Sequence, residues 1–141
     1  MNGRKVAGTP FETELMVRPD DIDMNQHVHA SRYQDYLLAA RYDQMRRCYG
    51  MAMEEFGKLG LGWFVHTLHI EYKRPLRLGD RFHVRTHVSE FFTHGVSVDF
   101  EIRREPGGKL SCSGWCRYTL VNATTGRAEM VPEWIVEKYS V

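Results

Sequence analysis

A change of hydrophobic period near Gly62 constrains the fold of this chain more than any other feature. From there to Leu120, apolar and polar residues alternate through four long segments, a pattern typical of antiparallel strands with one face buried. Segments at 75–80 and 106–108 contain proline and glycine and supply turns between the strands. No strand–helix–strand unit repeats, so the second half is predicted to be an antiparallel sheet.

One long helix is predicted before this sheet. Residues 11–17 alternate as a first strand, and Ser31 with Gln34 matches a capping box, in which each side chain satisfies a backbone donor of the other residue. The helix should begin near Ser31 and end at Gly50. Short elements are expected in three further places, at 52–58, 127–131 and 132–139. A helix wrapped by a curved sheet, an α+β fold, satisfies this order.

The length and charge of the chain limit its organisation and its partners. With 141 residues it is expected to form a single domain, residues 1–141, with residues 1–10 flexible. The 19 Lys plus Arg against 18 Asp plus Glu leave a net charge of +1, so neither nucleic acid nor a membrane is predicted as a partner. No stretch approaches the ~20 apolar residues of a membrane span, and no signal-peptide run is found at the start.

Cysteine and histidine usage argues against a metal site. Cys48, Cys112 and Cys116 lack metal-site spacing, and the last two belong to the alternating pattern of a packed strand. The seven histidines include no third ligand at a recognised interval. We therefore predict no metal and no cofactor, and a reducing, cytoplasmic location.

The loop at 20–30 concentrates polar groups directly before the predicted helix. Asp21, Asp23, Asn25, His27 and His29 alternate there, next to backbone N–H groups that a helix start leaves unpaired. Asp and Asn also fill turn positions and cap helices, and composition alone favours that reading. The residues by themselves leave both readings open.

Two segments resemble a known family. The run 21–28, Asp-Ile-Asp-Met-Asn-Gln-His-Val, with Tyr33 and the pair Ala40-Arg41, resembles hotdog thioesterases of the 4-hydroxybenzoyl-CoA thioesterase and acyl-CoA thioesterase type. It is similar to the Asp-x-Asn-x-His catalytic motif of the plant acyl-carrier-protein thioesterases. Residues 70–80 resemble the strand and turn that many relatives have after the central helix. The resemblance implies a hotdog fold, a long central helix wrapped by a curved antiparallel sheet.

The resemblance also implies roles for the residues of the loop. Asp23 corresponds to the catalytic carboxylate, which acts as a nucleophile or as a general base on water. Asn25 and His27 would position the acyl group or the water. The backbone N–H groups of His29 and Ala30 would hold the thioester oxygen as it becomes an oxyanion.

Candidate substrate-binding residues lie outside this loop. Tyr33, Phe64 and Val65 could line an acyl tunnel between helix and sheet, although core packing explains such residues equally well. Arg74 is near the position where family members meet the phosphates of coenzyme A; a solvated surface charge is the alternative.

The function implied is hydrolysis of an acyl-CoA thioester to a free acid and a thiol. An acyl-carrier-protein thioesterase is the close alternative, and a hotdog domain that binds an acyl thioester without hydrolysing it is the alternative from another class. A dehydratase is a weaker possibility, since the residues match the thioesterase pattern. One helix cannot cover the whole sheet, and Trp115 faces outward, so we expect a homodimer or a dimer of dimers.

Overall fold

The computed structural model describes residues 3–141, which contain an antiparallel sheet of six strands. The strands are β1 (Arg4–Lys5), β2 (Phe11–Met16), β3 (Leu61–Tyr72), β4 (Arg81–Phe92), β5 (Gly95–Glu105) and β6 (Leu110–Asn122). Their order is β1-β4-β5-β6-β3, and β2 also pairs with β4. The four long segments predicted from the alternating pattern are the four long strands β3 to β6.

Three helices accompany the sheet: α1 (Tyr33–Arg47), α2 (Met53–Lys58) and α3 (Glu133–Tyr139). They agree with the predicted long helix, the piece at 52–58 and the closing helix at 132–139. The piece expected at 127–131 is reduced to an isolated bridge between Val121 and Ala128. An α+β architecture is confirmed.

The predicted capping box at the start of α1 is wrong. A 3₁₀ turn, Ala30–Arg32, precedes the helix, and no side chain caps either start. The turn already engages the Arg32 N–H, which donates to the His29 carbonyl at 2.9 Å. At the other end the helix stops at Arg47, and Gly50, with φ of 69°, follows it in a left-handed conformation.

The inner face of α1 packs against the sheet in two apolar clusters. Each fully buried large side chain contributes about 1.5–3 kcal/mol relative to an exposed one. The first cluster surrounds the beginning of α1 and includes Tyr33, Tyr36, Leu37, Ala40, Phe82, Val84, Phe100 and Ile102. The second surrounds its end and includes Met45, Tyr49, Phe56, Val88, Val98, Leu120 and Ile135.

A chain of buried polar side chains also joins α1 to the sheet. Gln44 Nε2 donates to Thr13 Oγ1 at 3.0 Å and to the Val84 carbonyl at 3.2 Å, and Thr86 Oγ1 donates to Gln44 Oε1. Arg41 Nη1 in turn donates to Thr86 Oγ1 at 3.0 Å. Because each buried donor or acceptor must be satisfied, these bonds fix the rotation of α1 over β2 and β4.

The N-terminal segment differs from the prediction that residues 1–10 are flexible. Arg4 and Lys5 pair with β4, and the Val6 N–H donates to the Ser89 carbonyl at 3.0 Å. Strand pairing therefore holds part of this segment against the sheet. For Met1 and Asn2 the prediction lies outside the described residues. Within residues 3–141, no helix has the length and apolar character to cross a membrane.

Candidate active site

The loop between β2 and α1 closes on itself around Asp23. The Asp23 N–H donates to the His27 carbonyl at 2.8 Å, and the Gln26 N–H donates to the Asp23 carbonyl at 3.0 Å. Gln26 has φ of 62°, a left-handed conformation that a tight turn requires at this position. The Val28 N–H donates to the Leu76 carbonyl at 2.9 Å and attaches the loop to the turn before β4.

The Asp23 carboxylate is held by backbone donors on one side only. Its Oδ1 accepts the His27 N–H at 3.1 Å and the Asn25 N–H at 2.9 Å. The His27 bond, more than any other contact, lowers the pKa of Asp23 below its ordinary value, so the carboxylate is ionised at neutral pH. Within residues 3–141, Oδ2 accepts no hydrogen bond. One oxygen is thus oriented and the other is available to a ligand or water.

Asp21 belongs to the alternating polar residues of the loop, but the sequence assigned it no role of its own. Its side chain is buried and accepts hydrogen bonds from Tyr36 Oη at 2.7 Å and from Arg18 Nε at 3.1 Å. Arg32 Nε lies 3.7 Å from the other oxygen. Burial raises the pKa of Asp21, but the hydrogen bonds from Arg18 and Tyr36 outweigh it and the pKa is lowered. Asp21 therefore anchors the loop to α1.

The prediction that the His29 N–H holds an oxyanion is wrong for this structure. That N–H donates to the Asp21 carbonyl at 2.9 Å and is already engaged. The N–H groups of Ala30 and Ser31 have no acceptor within residues 3–141. Tyr72 Oη donates to the Ala30 carbonyl at 2.9 Å, which orients the peptide that carries the Ser31 N–H. The candidate oxyanion donors are therefore Ala30 and Ser31.

A cleft of about 410 Å³ brings most of the predicted site together. It is lined by Asp23, His27, Val28, Ala30, Tyr33, Tyr72, Lys73, Arg74 and Pro75. Five of these, Asp23, His27, Ala30, Tyr33 and Arg74, are residues that the sequence nominated. The cleft thus combines an ionised carboxylate, Ala30 with its free backbone N–H group and two basic side chains.

The wall of the cleft is fixed by Tyr33. This residue is buried, its Oη accepts the Leu76 N–H at 3.0 Å, and its ring meets the Tyr72 ring edge-on, with 5.4 Å between centroids. On the rim, Arg74 Nη1 donates to the Leu110 carbonyl at 3.3 Å. Tyr33 therefore belongs to the packed core and lines the cleft at the same time.

Four nominated residues, Asn25, His29, Phe64 and Val65, lie outside this cleft. Asn25 borders a separate surface hollow with Met24 and His29, and only its backbone N–H contacts Asp23. Phe64 and Val65 are each 61% exposed on β3 and do not line the cleft of their own chain. The reason is topological, because β3 is an edge strand that pairs only with β6 in the described part of the chain.

The two buried cysteines give no competing nucleophile. Cys112 is buried, and burial raises the pKa of its thiol to about 12, so it is not a thiolate at neutral pH. Burial also raises the pKa of Cys116. Among residues 3–141, no three His, Cys, Asp or Glu side chains converge in a way that could hold a metal ion.

Comparisons with known proteins cover most of the chain. A family model described as the thioesterase-like superfamily matches residues 17–139. The long-chain acyl-CoA thioesterase FadM of Escherichia coli is 22% identical over 118 residues, which are 84% of this chain and 88% of FadM. The structure of hypothetical protein TT1821 from Thermus thermophilus has a TM-score of 0.84 at 29% identity, covering 94% of this chain and 96% of that one. For DHNA-CoA thioesterase from Staphylococcus aureus the TM-score is 0.85 at 22% identity, covering 93% and 89%.

Proposed function

Since the chain belongs to the thioesterase-like superfamily and has the hotdog fold, we propose that it hydrolyses an acyl-CoA thioester to a free acid and coenzyme A. The observation that supports this proposal best is the Asp23 carboxylate. One of its oxygens is fixed by two backbone N–H groups and the other is available, and Asp23 lines a cleft that Ala30 also lines. No metal and no Ser or Cys nucleophile is needed, because a thiolate is a good leaving group.

The proposed reaction has two forms that use the same atoms. As a general base, Asp23 accepts a proton from water, and the resulting hydroxide attacks the thioester carbonyl. The carbonyl oxygen becomes an oxyanion held by the N–H groups of Ala30 and Ser31; the C–S bond then breaks and the thiolate leaves. As a nucleophile, the Asp23 carboxylate attacks the thioester carbonyl, the C–S bond breaks and the thiolate leaves, and water hydrolyses the resulting anhydride to the free acid and the Asp23 carboxylate. His27 would position the water or the acyl group.

Coenzyme A is the preferred carrier in this proposal. Lys73 and Arg74 lie at the edge of the cleft, where they could contact its phosphates. An acyl carrier protein is acidic and would require a broad basic docking surface, which a chain with a net charge of +1 does not favour. An acyl-carrier-protein substrate is the second candidate.

A homodimer is part of the proposal. The outer edge of β3 has no strand beside it within residues 3–141, and Phe64, Val65 and Tyr72 are exposed along that strand. An unpaired edge with apolar side chains favours pairing with another chain. The proposal treats residues 1–141 as a single domain, and the cytoplasmic location stays a prediction.

The first experiment is a screen of acyl-CoA thioesters of different chain length and of aromatic acyl groups, with a thiol-reactive dye that detects released coenzyme A. Hydrolysis of at least one thioester, well above the uncatalysed rate, is expected. The rates of hydrolysis of the same acyl groups on acyl carrier protein and on coenzyme A show which carrier the protein prefers. Binding of acyl-CoA by calorimetry without any hydrolysis would contradict the proposal and favour the binding-only alternative.

A further inference from the structure

Asp23 borders two hollows of the protein surface. The first is the cleft that also contains Lys73 and Arg74. The second, called the Met24 hollow below, has a volume of about 530 Å³ and is lined by Ile22, Asp23, Met24, Asn25 and His29. Among the described residues that line these two hollows, Asp23 alone belongs to both. A ligand that extends from one hollow into the other therefore passes beside the candidate catalytic carboxylate.

The two hollows differ in chemical character. Ile22, in the Met24 hollow, is half-buried and packs against the first apolar cluster, and Met24 beside it is fully exposed. No Lys or Arg is found among the described residues that line this hollow, whereas the cleft has Lys73 and Arg74. One hollow therefore offers apolar surface, and the other offers positive charge.

A tight turn holds Met24 at the edge of its hollow. The Gln26 N–H donates to the Asp23 carbonyl at 3.0 Å, so Met24 and Asn25 are the two central residues of the turn. Such positions favour Gly, Pro, Asn, Asp and Ser, and a fully exposed methionine adds nothing to the core. The bonds from Asn25 N–H and His27 N–H to the Asp23 carboxylate fix the turn. Met24 therefore stays next to Asp23 as an adaptable apolar side chain.

The interior of the chain offers no path for an acyl group that starts at Asp23. Tyr33 lines the cleft, and Tyr36, Leu37 and Ala40 are buried with it in the first apolar cluster. A small cavity of about 40 Å³ lies between α1 and the sheet, but none of its described lining residues belongs to the cleft. Within residues 3–141, an acyl group bound beside Asp23 therefore has to follow the surface.

A thioester has two arms, which leave its carbonyl carbon in different directions. The sulfur arm continues into coenzyme A, whose phosphates are matched by the basic side chains of Lys73 and Arg74 in the cleft. With the sulfur arm in the cleft and the carbonyl carbon at Asp23, the acyl arm is directed toward the other hollow that Asp23 borders. That hollow is the apolar one, which suits a hydrocarbon chain.

We infer that the Met24 hollow is the acyl subsite, where Met24 and Ile22 contact an aliphatic acyl group of short to medium length. The inference rests on the proposed thioester hydrolysis and specifies its substrate class. Because Met24 follows Asp23 directly, its side chain reaches only the first carbons of the acyl group, and carbons further along the chain lie in solvent. Met24 determines specificity in this arrangement and takes no part in the bond-breaking step.

The test measures kcat/KM for saturated acyl-CoA thioesters from acetyl to decanoyl. Complete burial of a methylene group corresponds to about four-fold, and the hollow is open on one side, so wild-type kcat/KM should rise by about two-fold per methylene from acetyl to hexanoyl. It should change little from hexanoyl to decanoyl. No rise from acetyl to hexanoyl would overturn the inference. An equally steep rise up to decanoyl would indicate an enclosed tunnel and would overturn it as well.

Variants of methionine assign this dependence on chain length to one side chain. In Met24→Ser the rise from acetyl to hexanoyl should be largely lost. Met130→Ser is the matched control, because Met130 is also exposed and lines neither hollow, and it should keep the wild-type rise. The same rise in Met24→Ser as in wild type would refute the subsite. A change of assembly state in Met24→Ser, measured by sedimentation, would mean that a second copy of the chain covers Met24 and would also overturn the inference.

A binding measurement separates this inference from the proposed function. S-alkyl thioethers of coenzyme A, from methyl to hexyl, cannot be hydrolysed, and calorimetry gives their affinities. Affinity that rises with alkyl length in wild type but not in Met24→Ser supports the subsite even if no thioester is cleaved. Weaker binding of coenzyme A itself to Met24→Ser would place coenzyme A in the Met24 hollow and overturn the inference. Hydrolysis of acyl-CoA with a dependence on chain length that ignores Met24→Ser would refute the subsite and leave the proposed function intact.

Discussion

Asp21 and Asp23 are two residues apart in one loop, yet their carboxylates have different surroundings. Asp21 is 1% exposed and contacts Tyr36 and two arginines, whereas Asp23 lies in the cleft and accepts bonds from backbone N–H groups alone. The alternating loop pattern nominated polar groups at both positions. It could not tell which one is buried, because burial depends on Tyr36, further along the chain. The resemblance to a family selected Asp23.

The state of Asp23 predicts how activity depends on pH. The ionised carboxylate is the active form, and its pKa lies below the ordinary value of 3.8, so protonation begins only in strong acid. The kcat/KM should therefore stay constant as the pH falls from neutral to weakly acid values. A pH profile on a good acyl-CoA substrate measures this. An acid limb between neutral and weakly acid pH would mean that a group other than Asp23 is the essential base.

At the scale of elements, the hydrophobic pattern of the sequence predicted the strands whose residues alternate between a buried and a more exposed face. Alternation identified β4, because one face of the strand is buried while the other is half-buried or exposed. In β5 buried and half-buried residues alternate only from Val98 onward. The wrong predictions concern residues whose hydrogen-bond or strand partners the local sequence pattern does not reveal. The His29 N–H is engaged by Asp21 O, and Phe64 is exposed because β3 lies at a sheet edge.

The contact between the loop and α1 predicts the effect of Asp21→Asn. The variant loses the charge that Arg18 and Arg32 compensate, although an amide oxygen can still accept from Tyr36. Because Arg18 is largely exposed, a loss of about 1–2 kcal/mol in the free energy of unfolding is expected, measured by urea denaturation at neutral pH.

The same variant has a predicted pH dependence. The pKa of Asp21 is lowered in the folded chain, so its stabilising effect is present above the ordinary value of 3.8 and is lost as the pH falls through the folded-state pKa. The difference from wild type should therefore shrink in strong acid. Asp35→Asn, at a half-exposed position of α1, should leave stability within about 0.5 kcal/mol. Equal stability of wild type and Asp21→Asn at neutral pH would contradict the anchoring role.

At the scale of the whole molecule, the edge of β3 gives the proposed dimer a specific location. Phe64 is 61% exposed and contributes little to the core of its own chain, so Phe64→Lys should leave the single chain folded while disfavouring strand pairing. Sedimentation equilibrium should show a dimer or larger assembly for wild type and a shift toward monomer for the variant. Leu59→Lys, at another exposed apolar position outside the strand, is the control. A monomeric wild type would contradict the dimer.

The central claim is that the Asp23 carboxylate performs thioester hydrolysis, and Asp23→Asn tests it most directly. The amide keeps an oxygen that can accept the N–H groups of Asn25 and His27, so the loop should keep its shape while the base is lost. On the best acyl-CoA substrate, kcat should fall by about 10²–10⁴-fold at unchanged melting temperature, whereas Asp35→Asn should match wild type. A folded Asp23→Asn protein with wild-type kcat would contradict the account.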